Sequence, residues 1–204
     1  MKISWEFSSE KLKVISIYVD EEPWKDVHRL IFKKIADFPK LFDNLEELNN
    51  YFYNLETKYA LDFILKKLSR KSYHSKEIEK CLFEVLISRK SVDAVINKCI
   101  GYGFLNDETW IKNFINKELL SKHGRLLIVN KLRNKGVSEE KIEEFFESRE
   151  SDEIQKEQIL RLIQTKYKKR NLQDFKEKEK TIGALARRGY ALSLIKEILF
   201  NLKQ

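Results

Sequence analysis

Apolar residues follow two different periods along this chain. Over the first 22 residues they alternate, with Ile3, Trp5 and Phe7 on one segment, then Val14, Ser16 and Tyr18 set against Ile15, Ile17 and Val19. A period of two puts successive side chains on opposite faces of a strand, so a small β-hairpin with its turn over residues 8–11 is expected. After Pro23 the spacing changes to three and four. Trp24, Val27, Leu30, Ile31, Ile35 and Phe38 can share one helical face before Pro39 interrupts it, and Leu45, Leu48, Phe52 and Leu55 can share the next.

From Tyr59 onward the helical pattern comes round three times, with units starting near Tyr59, Asp107 and Asp152. Counted from Gly136 and Gly189, leucine lies four residues before (Leu132, Leu185), isoleucine six after (Ile142, Ile195), and apolar pairs nine and ten after (Phe145 and Phe146; Ile198 and Leu199). With Lys90 in the glycine position, Leu86, Ile96, Cys99 and Ile100 of the first unit fall on the same offsets. In that unit Ile78, Leu82, Phe83 and Leu86 are expected to face inward, and the third helix to stop at Gly101 and Gly103. Asn106 and Asp107 can cap the helix that opens the second unit. A repeat of this length, built of helices too short to be stable alone, predicts modules that pack on one another. The expected fold is mainly α, a tandem array of three three-helix repeats at 59–105, 106–150 and 151–204, preceded by a strand and helix segment at 1–58.

Composition agrees with a folded protein: of 204 residues, 42% are hydrophobic, enough for a real core. Both prolines lie in the first 40 residues, which leaves the rest free to be almost wholly helical. No apolar run reaches the roughly 20 residues needed to cross a bilayer, and no signal peptide is apparent, so a cytoplasmic protein without a membrane partner is expected.

Charge changes the picture more. Residues 1–58 hold 9 Lys and Arg against 11 Asp and Glu, whereas residues 59–204 hold 31 against 21. The positive excess belongs to the repeats, which points to a polyanion or an acidic protein as partner. The cations gather at corresponding helix ends: Lys66, Lys67, Arg70 and Lys71; Arg133 and Lys135; Lys166, Lys168, Lys169 and Arg170; Arg187 and Arg188. Lys and Arg in a last helical turn also complement the helix dipole, which accounts for part of this pattern without a ligand. Tyr190 is expected in the core, while Tyr167, inside a basic run, suits either the core or a base-stacking surface.

Motifs for catalysis are missing. His28, His74 and His123 are scattered, there is no HExxH, GxSxG or Walker loop, and carboxylates such as Glu143 and Glu144 fit a solvated helix face. Cys81 and Cys99 lack metal or redox spacing and are expected as buried free thiols. No enzyme activity, cofactor or metal is predicted.

The order of several segments resembles the RecX family of bacterial regulatory proteins. Those segments are Tyr59-Ala60-Leu61 with Leu65 and Leu68; Gly103-Phe104-Leu105-Asn106-Asp107-Glu108; Gly124-Arg125 followed by Ile128, Leu132 and Lys135-Gly136-Val137; Tyr167-Lys168-Lys169; and Arg187-Arg188-Gly189-Tyr190. The resemblance implies a monomeric array of three-helix units that lies in the groove of a RecA–DNA filament and inhibits recombinase, ATPase and coprotease activity. The family's basic surface corresponds here to Arg125, Arg133, Lys135, Lys168, Lys169, Arg187 and Arg188. Single- or double-stranded DNA is implied as a weaker, electrostatic partner. Two other functions fit the residues: a basic helical module that binds nucleic acid without RecA, and a helical scaffold for an acidic protein.

Overall fold

In the computed structural model, which describes residues 1–8, 12–147 and 152–202, the alternating segment forms β1 (Ile3–Phe7) and β2 (Val14–Val19). They pair antiparallel with Trp5 opposite Ile17; the turn expected between them falls for the most part outside the described residues. A third strand, β3 (Glu22–His28), pairs antiparallel with β2 and completes a sheet in the order β1-β2-β3. This corrects the helix expected from Trp24: the segment is extended, and further on only a 3-10 turn forms at Ile35–Asp37. The cause is Lys25, which stands opposite the buried Ile17. Its ammonium lies 4.2 Å from the centre of the Phe52 ring and 3.8 Å from the Glu56 carboxylate. A lysine at an inward strand position hides the period of two, so the incidental three-and-four spacing of Trp24, Val27 and Leu30 dominates the sequence pattern.

Nine helices follow among the described residues: α1 (Leu45–Leu68), α2 (Ser75–Glu84), α3 (Arg89–Gly101), α4 (Asp107–Leu120), α5 (Arg125–Asn134), α6 (Glu139–Glu147), α7 (Asp152–Thr165), α8 (Phe175–Arg187) and α9 (Leu192–Asn201). The fold is a tandem array of three three-helix repeats behind a small sheet. α1 starts where the Asn44 side chain accepts the Glu47 N–H at 2.9 Å, and it buries Leu48, Phe52, Ala60 and Ile64. The sheet and α1–α3 share one core; Ile115, Ile128, Leu132 and Phe146 centre a second; Ile159, Leu162, Leu185 and Ile195 centre a third. The chain divides into two compact units, Met1–Asp107 and Glu108–Gln204.

The turn from the second to the third helix is made in the same way in each repeat. The peptide N–H groups of Ile87, Val137 and Tyr190 reach back to the carbonyls of Leu82, Leu132 and Leu185. Those of Leu86, Gly136 and Gly189 reach Phe83, Arg133 and Ala186. This double closure needs a left-handed residue just past the helix, and φ is +60° at Leu86, +81° at Gly136 and +89° at Gly189. The residue in the glycine position of the first repeat is therefore Leu86 and not Lys90, which sits in the first turn of α3. Counted from Leu86, Leu82 and Val92 are the buried counterparts of Leu132 with Ile142 and of Leu185 with Ile195. Phe83 and Leu86, expected inward, are exposed, as is Ile100. A slip of four residues is one helical turn, which preserves an i, i+4 stripe and so goes unseen in the sequence.

Buried or half-buried carboxylates stabilise two helix starts in the first unit. Glu56, fully buried on α1, accepts the Ser88 N–H at 3.3 Å together with the hydroxyls of Ser88 and Ser91 at the start of α3. Asp107, the first residue of α4, accepts the Ser75 N–H at 2.7 Å and the Ser75 hydroxyl at the start of α2. An acceptor with negative charge suits the exposed amides at either place.

Candidate functional site: the basic faces of the repeats

The cations at the helix ends divide into those engaged within the chain and those that are not. In the first repeat α1 ends at Leu68, and Lys66, Lys67, Arg70 and Lys71 surround its C-terminus. Lys67 lies 5.2 Å from the Phe63 ring centre and Lys71 lies 4.3 Å from that of Tyr73. Lys66 and Arg70 are exposed, and their side chains have no partner among the described residues.

The second repeat holds its cations more tightly. Arg125, the first residue of α5, is half-buried with its guanidinium 5.0 Å from the Phe146 ring centre. Arg133 makes a two-pronged pair with Glu139 across α5 and α6, and the hydrogen bond from Arg133 holds the Glu139 carboxyl below its ordinary range. Lys135 lies 5.5 and 5.7 Å from the stacked rings of Trp110 and Phe114. Nearby, Glu118 accepts from Lys131 at 2.6 Å and lies 2.6 Å from His123 Nδ1. Desolvation pushes the Glu118 carboxyl up, but the hydrogen bonds from Lys131 and His123 outweigh it and leave the group below its ordinary range.

In the third repeat the loop after α7 presents Lys166, Lys168 and Lys169 to solvent, with no side-chain partner among the described residues. Arg170 turns back: its guanidinium donates to Thr181 Oγ1 at 3.2 Å and lies 4.7 Å from the ring centre of Tyr167, which is buried. Arg187 is exposed on the last turn of α8.

Arg188 has an internal role instead. Its guanidinium donates to the Ser121 and Lys122 carbonyls at 3.3 and 3.1 Å, beyond the end of α4. Its own carbonyl accepts the Gly124 N–H at 2.8 Å, and that of Gly189 accepts the Leu126 N–H at 3.0 Å. The turn after α8 thus satisfies the free amides at the start of α5. Tyr190 is buried against the same loop, its hydroxyl 3.2 Å from the Lys122 carbonyl and 3.0 Å from Gln158 Oε1. Two segments that look separate in the sequence, Gly124-Arg125 and Arg188-Gly189-Tyr190, form one joint.

In the third repeat two further exposed cations, Lys176 on α8 and Lys196 on α9, have no side-chain partner among the described residues and lie outside the clusters at helix ends. A running charge count finds them: residues 161–204 carry 12 Lys and Arg against 4 Asp and Glu, equal to the net +8 of the whole chain. Sequence alone had no means of separating Lys168 from Arg188, since both belong to basic runs.

The remaining chemistry is structural. His74 is buried at the start of α2, where its Nδ1 accepts the Lys76 N–H at 3.2 Å and its Nε2 lies 3.6 Å from Asp107. Cys99 is a buried free thiol pushed up by desolvation, and Cys81 is a half-buried free thiol. No cluster of metal-ligand residues occurs among the described residues, and no described helix is long and apolar enough to cross a membrane.

Fold and surface together define an α-helical repeat protein with a cation-rich third repeat. Residues 153–199 match the model of the third three-helix domain of RecX. The regulatory protein RecX of Finegoldia magna is 26% identical over 201 residues, covering 95% of each chain. That of Caldanaerobacter subterraneus subsp. tengcongensis is 28% identical over 121 residues, which cover 59% of this chain and 61% of that protein. A crystal structure of a regulatory protein RecX shares the fold, with a TM-score of 0.60 at 19% identity over 97% of this chain and 98% of that one. The chain is thus similar to RecX regulatory proteins over nearly its whole length, and its last repeat matches a RecX domain.

Proposed function

We propose that this protein regulates RecA. It binds the RecA–DNA filament in its helical groove and mainly inhibits it, lowering recombinase activity, ATP hydrolysis and coprotease activity. The protein acts by binding and not by catalysis, as a cytoplasmic monomer without a cofactor. Its three repeats, at 59–105, 106–150 and 151–204, each present part of the binding surface, and DNA is a weaker electrostatic partner.

Similarity to RecX regulatory proteins supports the choice of partner. At residue level the reading is carried by the exposed, unengaged cations Lys66, Arg70, Lys166, Lys168, Lys169 and Arg187. Such groups can meet phosphate or carboxylate without first breaking an internal contact. Arg125, Arg133, Lys135, Arg170 and Arg188 are instead engaged within the second unit, where they hold its repeats in shape.

The test is ATP hydrolysis and filament length for RecA on single-stranded DNA with added protein. Hydrolysis is expected to fall and filaments to shorten. Replacing Lys168, Lys169 and Arg187 together by Glu should weaken the effect by about tenfold or more, while circular dichroism stays unchanged. No response at several-fold excess over filament ends would sink the reading. Tight binding to single-stranded DNA alone, falling with salt at a slope of about −0.7 per phosphate neutralised, would favour the module that needs no RecA.

A further inference from the structure

The three repeats share one register of second helix, left-handed turn and third helix, so a crevice between those helices in one repeat has an equivalent position in the others. In the second repeat it is a cavity of about 190 Å³ lined by Leu126, Val129, Asn130 and Ile142, with the Arg133–Glu139 pair across it. In the first repeat Glu79 of α2 pairs with Arg89 of α3 across the same two helices, with the charges reversed. The third repeat differs. Counted from the left-handed turn residue, Lys80 and Asn130 become Gly183, Phe83 and Arg133 become Ala186, and Arg89 and Glu139 become Leu192. The ion pairs of α8 and α9 run elsewhere, from Lys180 to Glu177 within α8 and from Glu197 to Lys156 of α7.

Gly183 has no internal reason to be glycine. It lies within α8, where glycine weakens a helix, and an added Cβ would meet nothing closer than the end of the Arg187 side chain at 3.4 Å. On α9, Leu192 is 53% and Phe200 64% exposed, with Lys196 at the intervening position of the same i, i+4 stripe. By the same register, Gly183 and this apolar stripe are flanked by Arg187 and Lys196, with Lys178 and Glu179 in the positions of Arg125 and Leu126, within a segment whose net charge equals that of the whole chain.

We propose that the α8–α9 crevice is a docking site for an acidic protein segment that inserts one large apolar side chain over Gly183. The missing Cβ admits the apolar group, Leu192 and Phe200 cover it, and the basic rim pairs with flanking carboxylates. Apolar anchors at the centre of a polar rim are the usual source of affinity in protein contacts. Phosphate alone would use the rim and leave the floor uncovered. The inference does not rest on RecA as partner, and it is tested without a filament, so either idea can fail by itself.

The probes are two fluorescein-labelled peptides of Asp and Glu, one with a central Trp and one with Ala in its place. The Trp peptide should bind about tenfold more tightly, which corresponds to about 1.4 kcal/mol. Gly183→Leu and Leu192→Glu should each remove that difference, and Gly183→Leu should also raise the melting temperature, which shows that the variant folds. Equal binding of the two peptides would overturn the proposal, because only the rim would then be acting. So would Trp-peptide binding that survives Gly183→Leu, or retention on phosphatidylserine vesicles that is lost in both variants while neither peptide binds.

Discussion

The turn at Leu86 and the turn at Gly189 close with the same pair of hydrogen bonds, yet one is built on a branched side chain and the other on glycine. The difference lies in what surrounds them. Leu86 is 40% exposed, so its side chain has somewhere to go and only the backbone conformation is unfavourable. At Gly189 a Cβ would lie 2.3 Å from the Leu127 nitrogen, because the start of α5 is docked on this turn. Left-handed geometry alone tolerates another residue, whereas geometry combined with a backbone contact does not.

Gly189→Ala should therefore have the largest effect. It adds left-handed strain and an overlap with backbone that no rotamer relieves, together worth about 3 to 5 kcal/mol. Urea denaturation reads this directly, and a loss below about 1 kcal/mol would show that the joint yields. Next comes Leu82→Ala in the first repeat. Leu82 is fully buried, so the expected cost is about 2 to 5 kcal/mol, against a few tenths for Leu86→Ala. Reversal of that order would mean that Leu86 is not the turn residue.

Much of the fold was legible because helices leave a strong local signal. Gly136 and Gly189 were placed correctly from the offsets of Leu132, Leu185, Ile142 and Ile195. The first repeat reads one turn out of phase because it lacks the glycine that would fix it. The alternation of β3 is masked because Lys25 occupies an inward position, where its charge reaches Glu56. For the surface, sequence could find the basic runs but not sort them. Arg188 is engaged through carbonyls 66 and 67 residues away, and no local pattern reports a contact at that separation. The docking of Gly124 on Gly189 was hidden for the same reason.

Transplanting the first repeat's turn into the second gives a smaller effect. Gly136 has φ +81° and is exposed, so Gly136→Leu should reproduce the situation of Leu86 and cost about 1 to 2 kcal/mol. A cost as large as that of Gly189→Ala would reveal a close contact there too, and the contrast between exposed and docked turns would fail.

The converse, Leu86→Gly, should be the smallest change and the one that stabilises. Removing the side chain relieves roughly 1 to 2 kcal/mol of left-handed strain. Glycine also gives the unfolded chain more freedom, at a cost of roughly 0.5 to 1 kcal/mol, and some packing of a half-exposed leucine is lost. The balance is a gain of about 0.5 kcal/mol, within reach of paired urea titrations. A clear loss on substitution would mean that the Leu86 side chain contributes more through packing than its backbone conformation costs. Leucine would then be favoured at this turn for its contacts, and the first repeat would differ from the others in more than the exposure of one residue.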